Sequence, residues 1–196
     1  ALPISREVGV AMEVEALVAN FSGPDRVLAF DANNAAVHNT PLMLAAAAGD
    51  TAAVRRELLK RASVNARNRS GATALMGACA GGFADIVAML LQSGAKVNML
   101  TTDAASALTY AARNGHADVV NTLLRYGADP DRADEQGATP LFYATAGGHQ
   151  DIVRLLVAAG ASVNRLNRNG LSPLRVARLK ADEDTTGLLV ALGARR

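Results

Sequence analysis

Residues Gly137–Asn164 read GATPLFYATAGGHQDIVRLLVAAGASVN, and this stretch decides the fold. Thr139 offers a hydroxyl cap and Pro140 stands at the first helical position, where its missing N–H costs nothing, so a helix opens here. Gly147-Gly148 stops it. His149-Gln150-Asp151 starts a second helix, in which Ile152, Val153, Leu155, Leu156 and Val157 form a broad apolar face, and Gly160 supplies the left-handed residue that ends it. Neither helix can bury its apolar side alone. The pair is a helical hairpin that requires a neighbour.

The neighbours are in the chain. The opening hydroxyl recurs every 33 residues, at Thr40, Thr73, Ser106, Thr139 and Ser172. A leucine follows at Leu42, Leu75, Leu108, Leu141 and Leu174, and an alanine at Ala45, Ala78, Ala111, Ala144 and Ala177. The inter-helix glycine returns at Gly49, Gly82, Gly115 and Gly148, and the exit Gly-Ala at Gly94-Ala95, Gly127-Ala128, Gly160-Ala161 and Gly193-Ala194. Short polar residues suited to bonding the turn backbone follow at Asn65, Asn98, Asp131 and Asn164.

These landmarks resemble the ankyrin repeat, with its T-P-L-H-x-A start, G-H turn and G-A-x-x-N exit. Thr40-Pro41-Leu42 and Thr139-Pro140-Leu141 match the start, and Gly115-His116 and Gly148-His149 match the turn. The resemblance covers residues 37–196. It implies an all-α solenoid of stacked helix-turn-helix units with loop or β-turn tips, divided here as 37–69, 70–102, 103–135, 136–168 and 169–196. One position departs from the pattern: Met43, Met76, Thr109, Phe142 and Arg175 stand where the family carries histidine, so that side chain's hydrogen bond is expected to be absent.

Composition agrees with stacked hairpins. Half of the 196 residues are apolar, tryptophan is absent, and 41 alanines allow close helix packing. A net charge of +2 is too small to imply a nucleic-acid or membrane-surface partner by bulk field. No run approaches the roughly 18–20 apolar residues of a membrane span. The single cysteine, Cys79, excludes an internal disulfide and leaves the redox compartment open. Seventeen arginines against three lysines, with the alanine excess, suggest a GC-rich bacterial coding sequence. The first residue is Ala1, which fits a fragment or a mature form whose signal peptide is gone; periplasm and cytoplasm both stay open.

Residues 1–36 do not fit the register. Val8, Met12, Val14, Leu17, Val18 and Phe21 recur at helical spacing until Ser22-Gly23-Pro24 breaks them, and a short second helix runs through Val27, Leu28 and Phe30. The pair reads as an N-terminal cap protecting the apolar flank of the array. The first repeat is irregular: Leu58-Leu59 sit one residue later than their counterparts and Arg61 replaces the exit glycine. A left-handed Arg61 would cost about 1–2 kcal/mol, so a longer helix with a remodelled exit turn is expected. Between the second and third repeats Ala104 takes the place of the turn glycine. The last repeat's second helix begins Asp182-Glu183-Asp184-Thr185-Thr186, polarity that suits an end facing water.

No catalytic or metal constellation stands out, and no cofactor is expected. His116 and His149 occupy the same slot of successive repeats, roughly 10 Å apart by helix-packing distance, too far to share an ion; both are expected to bond the neighbouring loop. His38 lies in a loop, and Cys79 reads as a small core residue. The chain is therefore expected to be a non-enzymatic module that binds one partner protein by steric occupation.

In proteins of the resembled family, partners sit on the concave face of loop tips and first helices. Carried onto this chain, the partner-binding set is Arg67, Arg69, Thr102, Asp103, Tyr110, Arg113, Asn114, Glu135, Gln136, Tyr143 and Arg168. Tyr110 and Tyr143 stand side by side in mid-array, either filling space between first helices or forming an aromatic anchor. The arginines favour a partner with acidic groups. A monomer is expected, acting as an inhibitor or immunity protein or as an accessory scaffold. The alternatives are a small-molecule or metal site between repeats and a self-assembling structural protein.

Overall fold

The computed structural model describes residues 38–195. The cap expected over 1–36 lies outside the described residues. Ten helices follow in order: α1 (Pro41–Ala47), α2 (Thr51–Leu59), α3 (Ala74–Gly81), α4 (Ala84–Gln92), α5 (Ala107–Arg113), α6 (Ala117–Arg125), α7 (Pro140–Ala146), α8 (Gln150–Ala158), α9 (Pro173–Leu179) and α10 (Glu183–Ala191). Each first helix opens on the hydroxyl read from the sequence. Thr40, Thr73, Ser106, Thr139 and Ser172 accept the backbone N–H three residues on, replacing a donor the helix cannot satisfy itself. The missing-histidine expectation needs two corrections: in the first hairpin Met43 Sδ accepts from Thr40 N at 3.4 Å, and in the third the Thr109 hydroxyl accepts from Ser106 N at 3.4 Å, each closing a capping box.

The hairpins stack into an all-α solenoid, with no strand among the described residues and only an isolated antiparallel bridge between Leu100 and Ser106. First helices pack on first helices more closely than second helices pack on second, so the array curves with its first helices and loops on the inner side. Leu75, Leu108 and Leu141 from the first helices and Leu90, Leu123 and Leu156 from the second are at most 2% exposed and join one continuous core. The polar residue after each exit turn ties neighbouring hairpins together. Asn98, for example, donates from Nδ2 to Gly127 O at 2.9 Å and accepts from Asp129 N at 3.0 Å.

The exit of the first hairpin differs from the sequence expectation. Helix α2 has nine residues, as do α4, α6, α8 and α10, so nothing is inserted. Arg61 takes the left-handed conformation, at φ 59°, in the slot of Gly94, Gly127, Gly160 and Gly193. Its exit bonds are also ordinary: Arg61 N to Leu58 O at 2.9 Å and Ala62 N to Glu57 O at 3.1 Å match Gly94 N to Leu91 O and Ala95 N to Leu90 O. The turn holds its shape because these bonds outweigh the strain at one residue. His38, Ala104 and Ala181 are likewise left-handed, in slots that other hairpins fill with glycine. Arg61→Gly is therefore expected to raise the unfolding free energy by about 1 kcal/mol, the relieved strain less the entropy glycine adds to the unfolded chain. Chemical denaturation of the two proteins measures it.

Candidate functional site

On the inner side of the curve each loop returns on itself before feeding a first helix. Asn68, Asp134 and Asn167 hold these returns by accepting two backbone N–H groups each; for Asp134 Oδ1 the donors are Gln136 and Ala138, both at 2.9 Å. Successive tips are joined by one backbone bond apiece: Thr102 N to Ser70 O, Glu135 N to Asp103 O and Arg168 N to Gln136 O, all 2.9 Å. Thr102, Asp103, Glu135, Gln136 and Arg168, five members of the expected set, are thus drawn into one ribbon. Glu135, Gln136, Thr102 and Arg168 are exposed along it, and so are Arg67 and Arg69. Arg67 has a structural task as well: its guanidinium donates to Leu100 O at 2.7 Å and to Gly71 O at 3.3 Å, bridging two loops.

Beneath the ribbon lie the first helices. Arg113, half-buried, sets its guanidinium carbon 5.7 Å from the Tyr110 ring centroid. Asn114 is exposed and donates to Ala80 O at 2.8 Å. Of the two readings of the tyrosines, filling space between first helices or forming an aromatic anchor, their burial favours the first. Tyr110 is 2% exposed and Tyr143 is 6% exposed, so neither ring offers open surface in this chain. Tyr143 belongs to a second apolar cluster, with Ala138, Phe142, Ala146, Leu171 and Val176, set apart from the main core. Its ring meets that of Phe142 edge-on, with centroids 6.1 Å apart.

Sequence reasoning missed Asp134. The Tyr143 hydroxyl donates to its Oδ2, while its Oδ1 holds the turn. Burial raises the Asp134 carboxyl above its ordinary range, the hydrogen bonds from Tyr143, Ala138 and Gln136 oppose this, and the charge of Asp103 adds to it. Burial and then the Asp134 bond push the Tyr143 phenol up. The signal was available: the same slot holds Asn68 and Asn167, short polar residues that make the turn without a charge.

A folded-state carboxyl pKa above the unfolded value means that the native state binds the proton more readily. The Asp134 contribution to stability therefore falls as pH rises above 3.8, the ordinary value. Asp134→Asn is expected to be at least as stable as the parent at neutral pH and to remove this part of the pH dependence, as measured by denaturation from pH 3.5 upward.

The histidines bond across hairpins as expected, but to the preceding first helix and not to a loop. His116 Nε2 lies 3.0 Å from Ala80 O and His149 Nε2 lies 3.1 Å from Arg113 O, each pairing a last-turn carbonyl of the preceding first helix. Lys180 does the same for Ala146 O. Cys79 is fully buried and burial raises its thiol, which suppresses the nucleophilic thiolate. Among the described residues no group of three or more His, Cys, Asp or Glu is placed to hold a metal ion, and no helix is long and apolar enough to cross a membrane.

The comparisons with known proteins agree with this geometry. The family model for ankyrin repeats (3 copies) matches residues 14–101 and again 108–195. No curated protein matches the chain.

Proposed function

Because the chain belongs to the ankyrin-repeat family, a family of non-catalytic scaffolds, we propose that it works by occupying one partner protein through its inner, concave face. The observation that carries this is the ribbon of tips. Thr102, Asp103, Glu135, Gln136 and Arg168 are held in line by backbone bonds between loops, so the surface exists before any partner arrives and little ordering entropy opposes binding. A standard interface of roughly 800 Å² per side fits on three hairpins. Arg69 and Arg168 point the face toward acidic groups on the partner, with Arg113 behind them on the first helix. We place the protein among bacterial inhibitors or immunity proteins, or accessory scaffolds, working as a monomer in the periplasm or cytoplasm. The division into a cap over 1–36 and a repeat domain over 37–196 belongs to the same reading.

The buried tyrosines are poor probes of this face, and the exposed tips are good ones. Affinity capture from a bacterial extract of the source strain, with the intact chain beside an Arg69→Ala, Glu135→Ala, Gln136→Ala, Arg168→Ala variant, tests the reading. The expected outcome is one protein retained by the intact chain and reduced at least tenfold on the variant. The same proteins on both baits would remove the tips from the site. In light scattering the purified chain is expected to keep the 20.2 kDa mass of a monomer across concentrations.

A further inference from the structure

The last first helix departs from the four before it at two slots. One slot holds Met43, Met76, Thr109 and Phe142 in the earlier hairpins, all at most 3% exposed. The other holds Ala46, Cys79, Ala112 and Thr145, all 0% exposed. In α9 the same slots hold Arg175 and Arg178, and both are exposed. The described helices packed on α9 are α7 and α10, and neither covers the side that carries these arginines. A further apolar hairpin does not fit there, because it would bury two guanidinium groups without partners.

What the face offers instead is an open pocket. Leu166, Gly170, Ser172 and Leu174 line it, with Arg175, Arg178 and Arg195 around them. No carboxylate lines the pocket, and among the described residues none of the three arginines forms an ion pair. An end that had only to face water would be served by charge of either sign. Three positive charges beside a leucine wall, with Leu166 58% exposed, select a ligand that is acidic and partly apolar.

The backbone supplies a second, independent feature. Each earlier tip carbonyl accepts one N–H from the next tip: Ser70 O from Thr102, Asp103 O from Glu135, and Gln136 O from Arg168. The equivalent carbonyl of the last tip is Asn169 O, which accepts no backbone N–H. Asn169 is exposed and adjoins Gly170 at the pocket. The ribbon of tips thus ends in an open acceptor beside the arginines, where an extended chain supplies the missing donor as a peptide does at a sheet edge. An inorganic anion or a phosphodiester backbone would satisfy the arginines and leave the leucine wall idle.

We propose that this end face binds an acidic, extended segment of a partner protein. A backbone N–H of the segment meets Asn169 O, its carboxylates meet Arg175, Arg178 and Arg195, and an apolar side chain between them packs on Leu166. The site goes beyond the concave-face reading and stands whether or not the tips bind a partner, since its three arginines lie outside the tip set.

Fluorescence anisotropy of the full chain with a labelled Asp-Glu-Leu-Asp-Glu peptide, at low ionic strength where exposed charges are least screened, tests it. The peptide is expected to bind, and to bind Arg175→Gln/Arg178→Gln about tenfold more weakly through the lost charge-assisted bonds. An Asn-Gln-Leu-Asn-Gln peptide is expected to bind the parent about tenfold more weakly than the acidic one. Arg125→Gln/Arg154→Gln, which removes the same charge from exposed positions of α6 and α8, is expected to leave affinity unchanged. No binding of the acidic peptide, or equal losses in the two double variants, would overturn the proposal. So would tighter binding of an oligo-uridylate, which assigns the face to nucleic acid, or self-association that Arg175→Gln/Arg178→Gln abolishes, which makes a second copy the occupant. Amide NMR spectra locate the contact. Signals of Gly170, Leu171 and Arg195 are expected to move with the acidic peptide; shifts confined to Asp103 and Glu135 would place it on the concave tips and overturn the end-face site. If the expected shifts appear while capture through the tips fails, the concave-face reading is lost and the end-face site stands.

Discussion

Tyr143→Ala is expected to lower the unfolding free energy by about 3–4 kcal/mol, whereas Tyr143→Phe lowers it by about 1–2 kcal/mol. The alanine removes a ring that is 6% exposed, packed edge-on against Phe142 and joined to Leu171 and Val176. Deleting a buried aromatic side chain costs about 3–5 kcal/mol, the lost transfer energy together with the cavity left behind. Phenylalanine keeps the ring and removes only the hydroxyl that donates to Asp134, leaving one carboxylate oxygen short of its partner. The hydroxyl has a second effect, and Tyr143→Phe isolates it because the ring is kept. Losing the Tyr143 bond removes an effect that lowers the Asp134 pKa, so the carboxyl rises further above 3.8. In Tyr143→Phe the fall of stability with rising pH through the carboxylate range therefore becomes steeper. Urea denaturation at pH 4 and pH 7 measures both effects. An alanine variant as stable as the parent would mean the ring is exposed after all and would restore it as a candidate surface anchor. A loss of partner affinity in Tyr143→Ala, on the other hand, would not identify a contact, because the groove itself would have been disturbed.

The repeat register was legible because each landmark performs a local task that few residues can do. A hydroxyl at Thr73 or Ser106 caps a helix, a glycine at Gly82 or Gly115 turns left-handed, and the same geometry recurs every 33 residues. What stayed illegible depends on contacts between units. Arg61 and Ala104 adopt left-handed backbone without being glycine, in turns closed by the same backbone bonds as their glycine counterparts. Propensity alone points the other way. The role of Asp134 depends on a partner nine residues along, Tyr143, whose hydroxyl reaches back to the loop. The choice between buried and surface-facing roles for Tyr110 and Tyr143 stayed open for a related reason: the repeat pattern specifies what packs between hairpins and does not fix how deeply a first-helix side chain is buried.

The first hairpin shows how residue identity can mislead, and it supplies the other large prediction. Leu58-Leu59 looks like the Leu90-Leu91 pair moved one residue along, which suggests a longer helix. Turn geometry instead aligns Arg61 with Gly94, so Glu57 occupies the slot of Leu90, Leu123, Leu156 and Leu189, each 0% exposed. Its side chain is 15% exposed and pairs at 2.8 Å with Lys60, whose own side chain is 62% exposed. Leu59 stands in the slot of Gln92 and is 80% exposed. Exchanging the two, Glu57→Leu with Leu59→Glu, places a leucine in the core slot and a carboxylate in water at unchanged composition. Burying a leucine side chain contributes about 1.5–3 kcal/mol, and the lost ion pair, half in solvent, is worth at most about 1 kcal/mol. The exchange is expected to stabilise the chain by about 2 kcal/mol, read as an upward shift of the denaturation midpoint with unchanged slope. A destabilised double variant would mean that Leu58 and Leu59 fill the core slots themselves, and that α2 runs in the shifted register. The stabilised outcome carries a consequence for binding. Leu59, Leu58 and Met89 line an open groove between α2 and α4 on the outer side of the array, so the exchange also removes its most exposed apolar residue while leaving the concave face untouched. Partner affinity through the tips is then expected to stay the same as stability rises.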